Sequence, residues 1–184
     1  RMNRPEYLNA LSHPLESEME DAFYRASLDP ECRVIVLSGE GPSFCAGHDV
    51  SSPEASLLAD GRTRQQLEET LGSKEAAETY WWDEHMHFAY EMKMRKWRKI
   101  PKPTIAMVHG YCIFGGFFTA ATMDLVFASG DALFLPPLGS YNEPPWDFSM
   151  RKLKEVLFEH RFIPAREAWE CGFVSRIYPD RETL

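Results

Sequence analysis

Two short glycine-bearing turns carry the residues of this chain best suited to chemistry on a bound group. One is Phe44-Cys45-Ala46-Gly47-His48-Asp49, and the other is Gly110-Tyr111-Cys112-Ile113-Phe114-Gly115-Gly116. Each follows an apolar run of strand type, Val34–Leu37 and Thr104–Val108. Small residues at such strand ends let a backbone approach a ligand that a side chain would hold off. A helix opening near Gly115 would also aim unsatisfied N–H groups and a positive dipole end outward. One N–H from each turn can then grip a single carbonyl oxygen and hold the negative charge of an enolate. Loss of one such donor typically costs about 10²–10³ in rate. Taken alone, either turn also reads as a plain chain reversal.

Other groups of reactive type are weaker candidates. His85 and His87, with Asp83 and Glu84 beside them, suggest a metal, but residues two apart on a helix point to different faces, so no metal site is expected. Cys45 near His48 has the composition of a nucleophile and base, although a cysteine buried in an apolar turn is usually inert. Glu143, in Tyr141-Asn142-Glu143-Pro144-Pro145-Trp146, stands in a loop stiffened by prolines, where an aromatic wall would raise its pKa. It also reads as a solvated loop acid, and Asp147 is a lesser candidate of the same kind. The His48 imidazole titrates near neutral pH and can donate alongside its backbone. No G-x-S-x-G elbow and no G-x-x-x-x-G-K-S/T loop occurs, which removes serine hydrolases and P-loop enzymes.

The elements that must position these turns alternate between helical and strand periods, which points to an α/β architecture in one domain of 184 residues. Pro14 stands where a helix can begin, and Leu15, Met19, Phe23 and Ala26 give it one apolar face before Asp29-Pro30 stops it. The continuous run Arg33–Leu37 reads as a strand buried on both faces. Ser51 to Gly61 reads as a surface loop, and Arg62 to Lys99 as helix with a break at Gly72-Ser73. The aromatic stretch Tyr80 to Trp97 reads chiefly as core or subunit contact. Pro101 and Pro103 end that helix. The strand Thr104–Val108, a turn at His109-Gly110-Tyr111, a helix to Met123 and a strand Leu125–Ala128 follow. Helices are expected over Met150–His160 and Pro164–Cys171.

Composition narrows the function classes. A net charge of −8 opposes broad affinity for nucleic acid, which depends on neutralising phosphates. The basic stretch Lys93, Arg95, Lys96, Arg98, Lys99 and Lys102 reads as a solvated helix end, with an anionic ligand as the alternative. The apolar runs are too short to span a bilayer, and no signal-peptide pattern is present, so no membrane partner is expected, and the setting expected is cytoplasmic or, as the alternative, an organelle reached through a transit sequence since removed. Four cysteines without a C-x-x-C pair are expected to be reduced thiols.

Taken in order, these segments resemble the crotonase (enoyl-CoA hydratase/isomerase) superfamily. The resemblance rests on Arg4-Pro5-Glu6…Asn9-Ala10-Leu11, Val34 to Gly39, Phe44 to Asp49 and Lys102 to Ala106. It continues through Gly110-Tyr111…Gly115-Gly116, Asp124-Leu125 and Ala165 to Val174, and so covers nearly the whole chain. It implies a spiral of β-β-α units, a sheet core surrounded by helices, and coenzyme A thioester substrates. Coenzyme A arrives as part of the substrate, so no separate cofactor is implied. Homotrimers, often paired into hexamers, are implied too. The two oxyanion N–H groups would fall on His48 and Gly115, and Ala46, His48, Asp49, Val50 and Ser51 would line the acyl-CoA site with Gly115. Asp49 would be a structural acid orienting its turn. Further strands before Arg1 and a helical tail after Leu184 are also implied, so residues 1–184 would form one acyl-CoA-binding domain lacking them.

The departures from this pattern bear on mechanism. A glutamate expected three residues after the oxyanion glycine is Phe118 here, and an acid expected after Pro136-Pro137 is Leu138. Each positioned acid or base contributes about 10²–10⁴ to a rate. The resemblance therefore implies thioester polarisation with a non-standard acid or base, for which Glu143 is the first candidate. Two alternatives stand beside it: a non-catalytic acyl-CoA binder, and a thioester hydrolase or decarboxylase that needs mainly enolate stabilisation.

Overall fold

The computed structural model describes residues 1–87, 96–137 and 149–184. Helix α1 (His13–Leu28) leads to β1 (Ile35–Ser38), and α2 (Arg64–Leu71) and α3 (Lys74–Met86) precede β2 (Thr104–Val108), β3 (Tyr111–Ile113) and α4 (Gly115–Ala121). β4 (Leu125–Ser129), β5 (Leu133–Leu135), α5 (Met150–Glu159), β6 (Ile163–Pro164), α6 (Ala165–Glu170) and β7 (Arg176–Tyr178) follow.

Local chemistry accounts for the boundaries. The Ser12 side chain accepts from the Leu15 N–H and caps α1, with Pro14 in the first turn where its missing N–H costs nothing. At the other end Lys102 Nζ donates to the carbonyls of Ala26 and Asp29, which satisfies groups that the helix leaves unpaired. The expected break at Gly72-Ser73 is a left-handed Gly72 ending α2, followed by Ser73 capping α3 through the Ala76 N–H. The helix expected to reach Met123 is shorter, ending at Ala121, and Tyr111 belongs to β3 rather than to a turn.

β1, β2, β4 and β7 form one parallel sheet in that order, with Leu37 beside Ala106, Ala106 beside Val126 and Ala128 beside Ile177. Asp124 pins the starts of β2 and β4 together by accepting from the Thr104 N–H at 2.8 Å. β3, β5 and β6 form a second sheet. Two extended segments continue it, because Cys45 pairs with Cys112 and Leu11 with His48 as single parallel bridges. Two strands of the first sheet thus pass to one of the second before a helix follows: β2 to β3 to α4, and β4 to β5 to α5. This is the expected spiral of β-β-α units. The core between the layers holds Leu15, Met19, Phe23, Ile35, Leu37, Phe117, Phe134 and Phe173, with the Phe117 and Phe173 rings stacked at 4.5 Å.

One expectation is corrected. The run Arg33–Leu37 is not buried on both faces, since Val34 and Val36 are 45% and 46% exposed while Ile35 and Leu37 are enclosed. Helix α1 packs on the Ile35 and Leu37 side, and the opposite face, shared by Val36 and Leu125, remains partly open among the described residues. The basic stretch is used internally: Lys96 pairs with Glu20, and Arg98 donates to the Ala121 carbonyl at 2.6 Å. Lys93 and Arg95 lie outside the described residues. Trp97 is buried against Phe23 at 4.7 Å, as a core aromatic, whereas Trp82 is exposed. No helix among the described residues is long and apolar enough to cross a membrane.

Candidate functional site

The spiral lays the two glycine-bearing turns side by side. Cys45 N–H donates to the Tyr111 carbonyl at 2.9 Å, and Ile113 N–H donates back to the Cys45 carbonyl at 3.0 Å. On the other flank Leu11 N–H donates to the Gly47 carbonyl at 2.7 Å and Asp49 N–H to the Leu11 carbonyl at 2.9 Å. The segment 45–49 is therefore held between Leu8–Leu11 and β3, with His48 at the point where it leaves the sheet.

Contact between the turns is close, and at Gly116 it requires glycine. A β-carbon on Gly115 would lie 3.0 Å from Leu11 Cδ1 and 3.1 Å from His48 Nε2. On Gly116 it would lie 2.7 Å from both the Cys45 β-carbon and the Cys45 carbonyl oxygen, a distance that real side chains do not tolerate. Gly115 opens α4, whose own ladder starts with Phe118 N–H donating to the Phe114 carbonyl at 2.9 Å. The Gly115 N–H thus precedes the intrahelical bonds. The His48 side chain and the Gly115 backbone are therefore neighbours.

Asp49 is the structural acid of the first turn. Its side chain is fully enclosed, and Oδ1 accepts the N–H groups of Ser51 at 3.1 Å and Ser52 at 2.9 Å. Oδ2 accepts from Arg4 Nη2 at 2.8 Å and from the Ser52 hydroxyl. Burial alone would raise its pKa, but the donors from Ser52, Arg4 and Ser51 outweigh that and hold it below the ordinary carboxylate range. A carboxylate kept ionised by so many donors is a poor proton acceptor. Arg4 also donates to the Ala10 carbonyl at 2.7 Å, and so ties both flanks of the turn to one guanidinium.

The remaining candidates separate. Ala46 is half-buried, while His48, Val50 and Ser51 are exposed at the edge of the turn. Phe118 is 8% exposed, and it places an apolar ring one helical turn beyond Gly115. Glu143, Leu138 and Asp147 lie outside the described residues. Burial, together with the neighbouring Cys45, pushes the Cys112 thiol well above its usual pKa, which suits two packing residues rather than a nucleophile. His87 Nε2 lies 3.9 Å from Glu20 on α1, and among the described residues no three metal-ligating side chains cluster.

Sequence reading missed Arg4 and Ser52 as the holders of Asp49, Leu11 as a wall against Gly115, and Phe114 as a neighbour of Gly47. Only the first had a signal, since Arg4 opens one of the recognisable segments, but its partner is 45 residues away.

The enoyl-CoA hydratase/isomerase family model matches residues 1–134. The Mycobacterium tuberculosis protein named enoyl-CoA hydratase EchA13 is 34% identical over 98% of this chain and 59% of its own length. Mitochondrial Δ(3,5)-Δ(2,4)-dienoyl-CoA isomerase of Rattus norvegicus is 28% identical over 100% of this chain and 56% of its own. A solved structure named as an enoyl-CoA hydratase, from Mycobacterium thermoresistibile, superposes with a TM-score of 0.77 at 33% identity, covering 98% of this chain and 69% of that one. The chain thus spans between half and two thirds of the length of these curated relatives. Two touching glycine turns at the ends of successive spiral layers, with these likenesses, place the chain in the enoyl-CoA hydratase/isomerase family.

Proposed function

We propose that this chain carries the acyl-thioester site of an enzyme of the enoyl-CoA hydratase/isomerase type, in which the His48 and Gly115 N–H groups together receive a thioester oxygen. One observation carries the reading: a β-carbon on Gly115 would lie 3.1 Å from the His48 imidazole, so the turn bearing His48 and the opening of α4 are adjacent. Two converging backbone donors stabilise the charge that appears on oxygen when a proton leaves the α-carbon. Leu11 supplies an apolar wall against Gly115, and such walls strengthen electrostatic contacts by excluding water. Coenzyme A enters as part of the substrate, and no separate cofactor is needed.

Proton transfer falls to Glu143, with the His48 imidazole as the second candidate. Phe118 stands where an acid would otherwise share the work, so the reading favours a reaction with one proton-transfer group, such as double-bond isomerisation. The likeness to dienoyl-CoA isomerase supports that direction. Phe118 also favours one rival, an acyl-CoA binder without turnover. Assembly as trimers or hexamers belongs to the same reading, as does a cytoplasmic setting, which suits four unbridged cysteines.

The test is incubation of the purified protein with enoyl-, 3-hydroxyacyl- and malonyl-type CoA thioesters, followed by mass and chromatographic separation of positional isomers. Isomerised product, or a gain or loss of water, supports the reading. Release of carbon dioxide or free coenzyme A moves it to the enolate-only reactions, binding without turnover to the rival, and absence of binding overturns it.

A further inference from the structure

Phe114, the residue between β3 and α4, has φ 45° and ψ −107°. Leu8 and His160 also have positive φ, but at 51°, 37° and 48°, 53° they occupy the left-handed helical well that ends many short helices. Phe114 does not. Its angles are those of the first central residue of a type II′ turn, a position dominated by glycine because a β-carbon is crowded there. The strain is imposed from both sides. Phe114 N–H donates to the Leu135 carbonyl at 2.8 Å, and its own carbonyl accepts from Phe118 N–H at 2.9 Å. Strained conformations persist only where the surroundings over-determine them, and they concentrate at functional sites.

The side chain has a partner across the site. A β-carbon on Gly47, which has φ +98°, would lie 3.4 Å from Phe114 Cβ and 3.7 Å from its ring. The aromatic ring therefore rests on the residue that precedes His48, while the backbone of Phe114 immediately precedes Gly115. Phe114 thus packs on the residue before one proposed donor and is bonded directly to the other.

We infer that Phe114 is a positioning residue for the oxyanion site, its forced turn aiming the Gly115 N–H and its ring, seated on Gly47, fixing the distance to the His48 N–H. The inference rests on the proposed thioester-binding function and adds to it the element that sets donor geometry. A glycine would make the same turn without strain, but it would leave Gly47 uncovered and the turn free to adopt other angles.

Acetoacetyl-CoA is a suitable probe, because its enolate absorbs in the near ultraviolet and, at a pH low enough to keep the free thioester in its keto form, appears only when the thioester oxygen is well held. The enolate band, the affinity for acetoacetyl-CoA and the thermal midpoint are measured for the intact chain and for Phe114→Gly and Phe114→Leu. The intact chain is expected to bind with an enolate band. Phe114→Gly should remain folded and lose about 10²-fold in enolate formation, the scale of a donor displaced by about 1 Å. Phe114→Leu, still bulky over Gly47, should restore most of it. If Phe114→Gly folds and keeps the full band, the inference is overturned while the functional reading stands. If the intact chain itself binds without a band, the donor pair is not an oxyanion site and both fall.

Discussion

Arg4 Nη2 lies 2.8 Å from Asp49 Oδ2, and the Asp49 side chain is fully enclosed. This ion pair joins residues 45 positions apart, one of them the neighbour of His48 along the chain. Its value lies less in attraction than in what its loss would leave: a carboxylate out of water facing two backbone donors and a hydroxyl. Truncating one partner of a buried pair typically costs about 3–5 kcal/mol, because the other charge is stranded. Arg4→Met is therefore expected to lower the unfolding free energy by about that amount, measured from urea midpoints. Arg4→Met with Asp49→Leu should recover part of the loss. A cost of only a few tenths for Arg4→Met would show that water already reaches Asp49.

A second ionic cluster gives a prediction in pH. Hydrogen bonds from Arg161, the largest cause, and from Lys152 hold the Glu167 carboxyl at about 2, against an ordinary value of 4.5. A depressed carboxyl stabilises the fold above its unfolded pKa and loses that contribution as pH falls through the folded value. The contribution should be complete above about pH 4.5 and gone near pH 2. Arg161→Ala is expected to be less stable at pH 7, with a flatter acid dependence. Its denaturation curve should converge on that of the intact chain as pH approaches 2. A constant difference across that window would place the effect of Arg161 elsewhere.

Helix starts and breaks and strand runs were legible because each depends on local chemistry: Pro14 at the start of α1, Gly72 before Ser73, the apolar run over Ile35–Leu37; the spiral followed only from the resemblance across the chain. Which face of β1 is covered was not, because a continuous apolar run carries no alternation to distinguish the side facing α1 from the open one. The His48 and Gly115 turns were legible as a pair only through the order of segments across the chain. What holds them was hidden for two reasons. Arg4 and Asp49 meet through long-range folding, and the strained position in a glycine-rich turn falls on Phe114 rather than on a glycine. The sequence alone also could not distinguish the basic residues near Lys102 from a ligand site, since capping of α1 by Lys102 depends on where that helix ends in space.

Gly116 supplies a steric prediction. Alanine has the better helix propensity, by up to about 1 kcal/mol, so Gly116→Ala on an open helix would stabilise. Here the added carbon would lie 2.7 Å from the Cys45 carbonyl oxygen, which is backbone held in the sheet by Tyr111 and Ile113. Overpacking of this kind costs about 1–3 kcal/mol and should outweigh the propensity gain. Gly116→Ala is expected to melt earlier and to lose activity as the two turns are pushed apart. An unchanged midpoint would mean that the turns can separate freely.

His48 distinguishes backbone from side-chain chemistry. If its N–H receives the thioester oxygen, the role survives in any residue able to keep the turn, because Leu11 bonds the backbone on both sides of His48 and Arg4 holds Asp49 beside it. His48→Ala is therefore expected to keep enolate formation from acetoacetyl-CoA within about an order of magnitude, far from the 10²–10³ loss that follows removal of a donor. The imidazole would show itself differently. Should it transfer the proton, turnover in His48→Ala would fall by about 10²–10⁴ while the enolate band persisted, and the rate would lose its dependence on pH near the ordinary histidine range. Turnover retained together with the band leaves the backbone as the whole contribution of His48. Loss of both, in a folded protein, would mean that the ring orders the turn, and would move the first donor away from this residue.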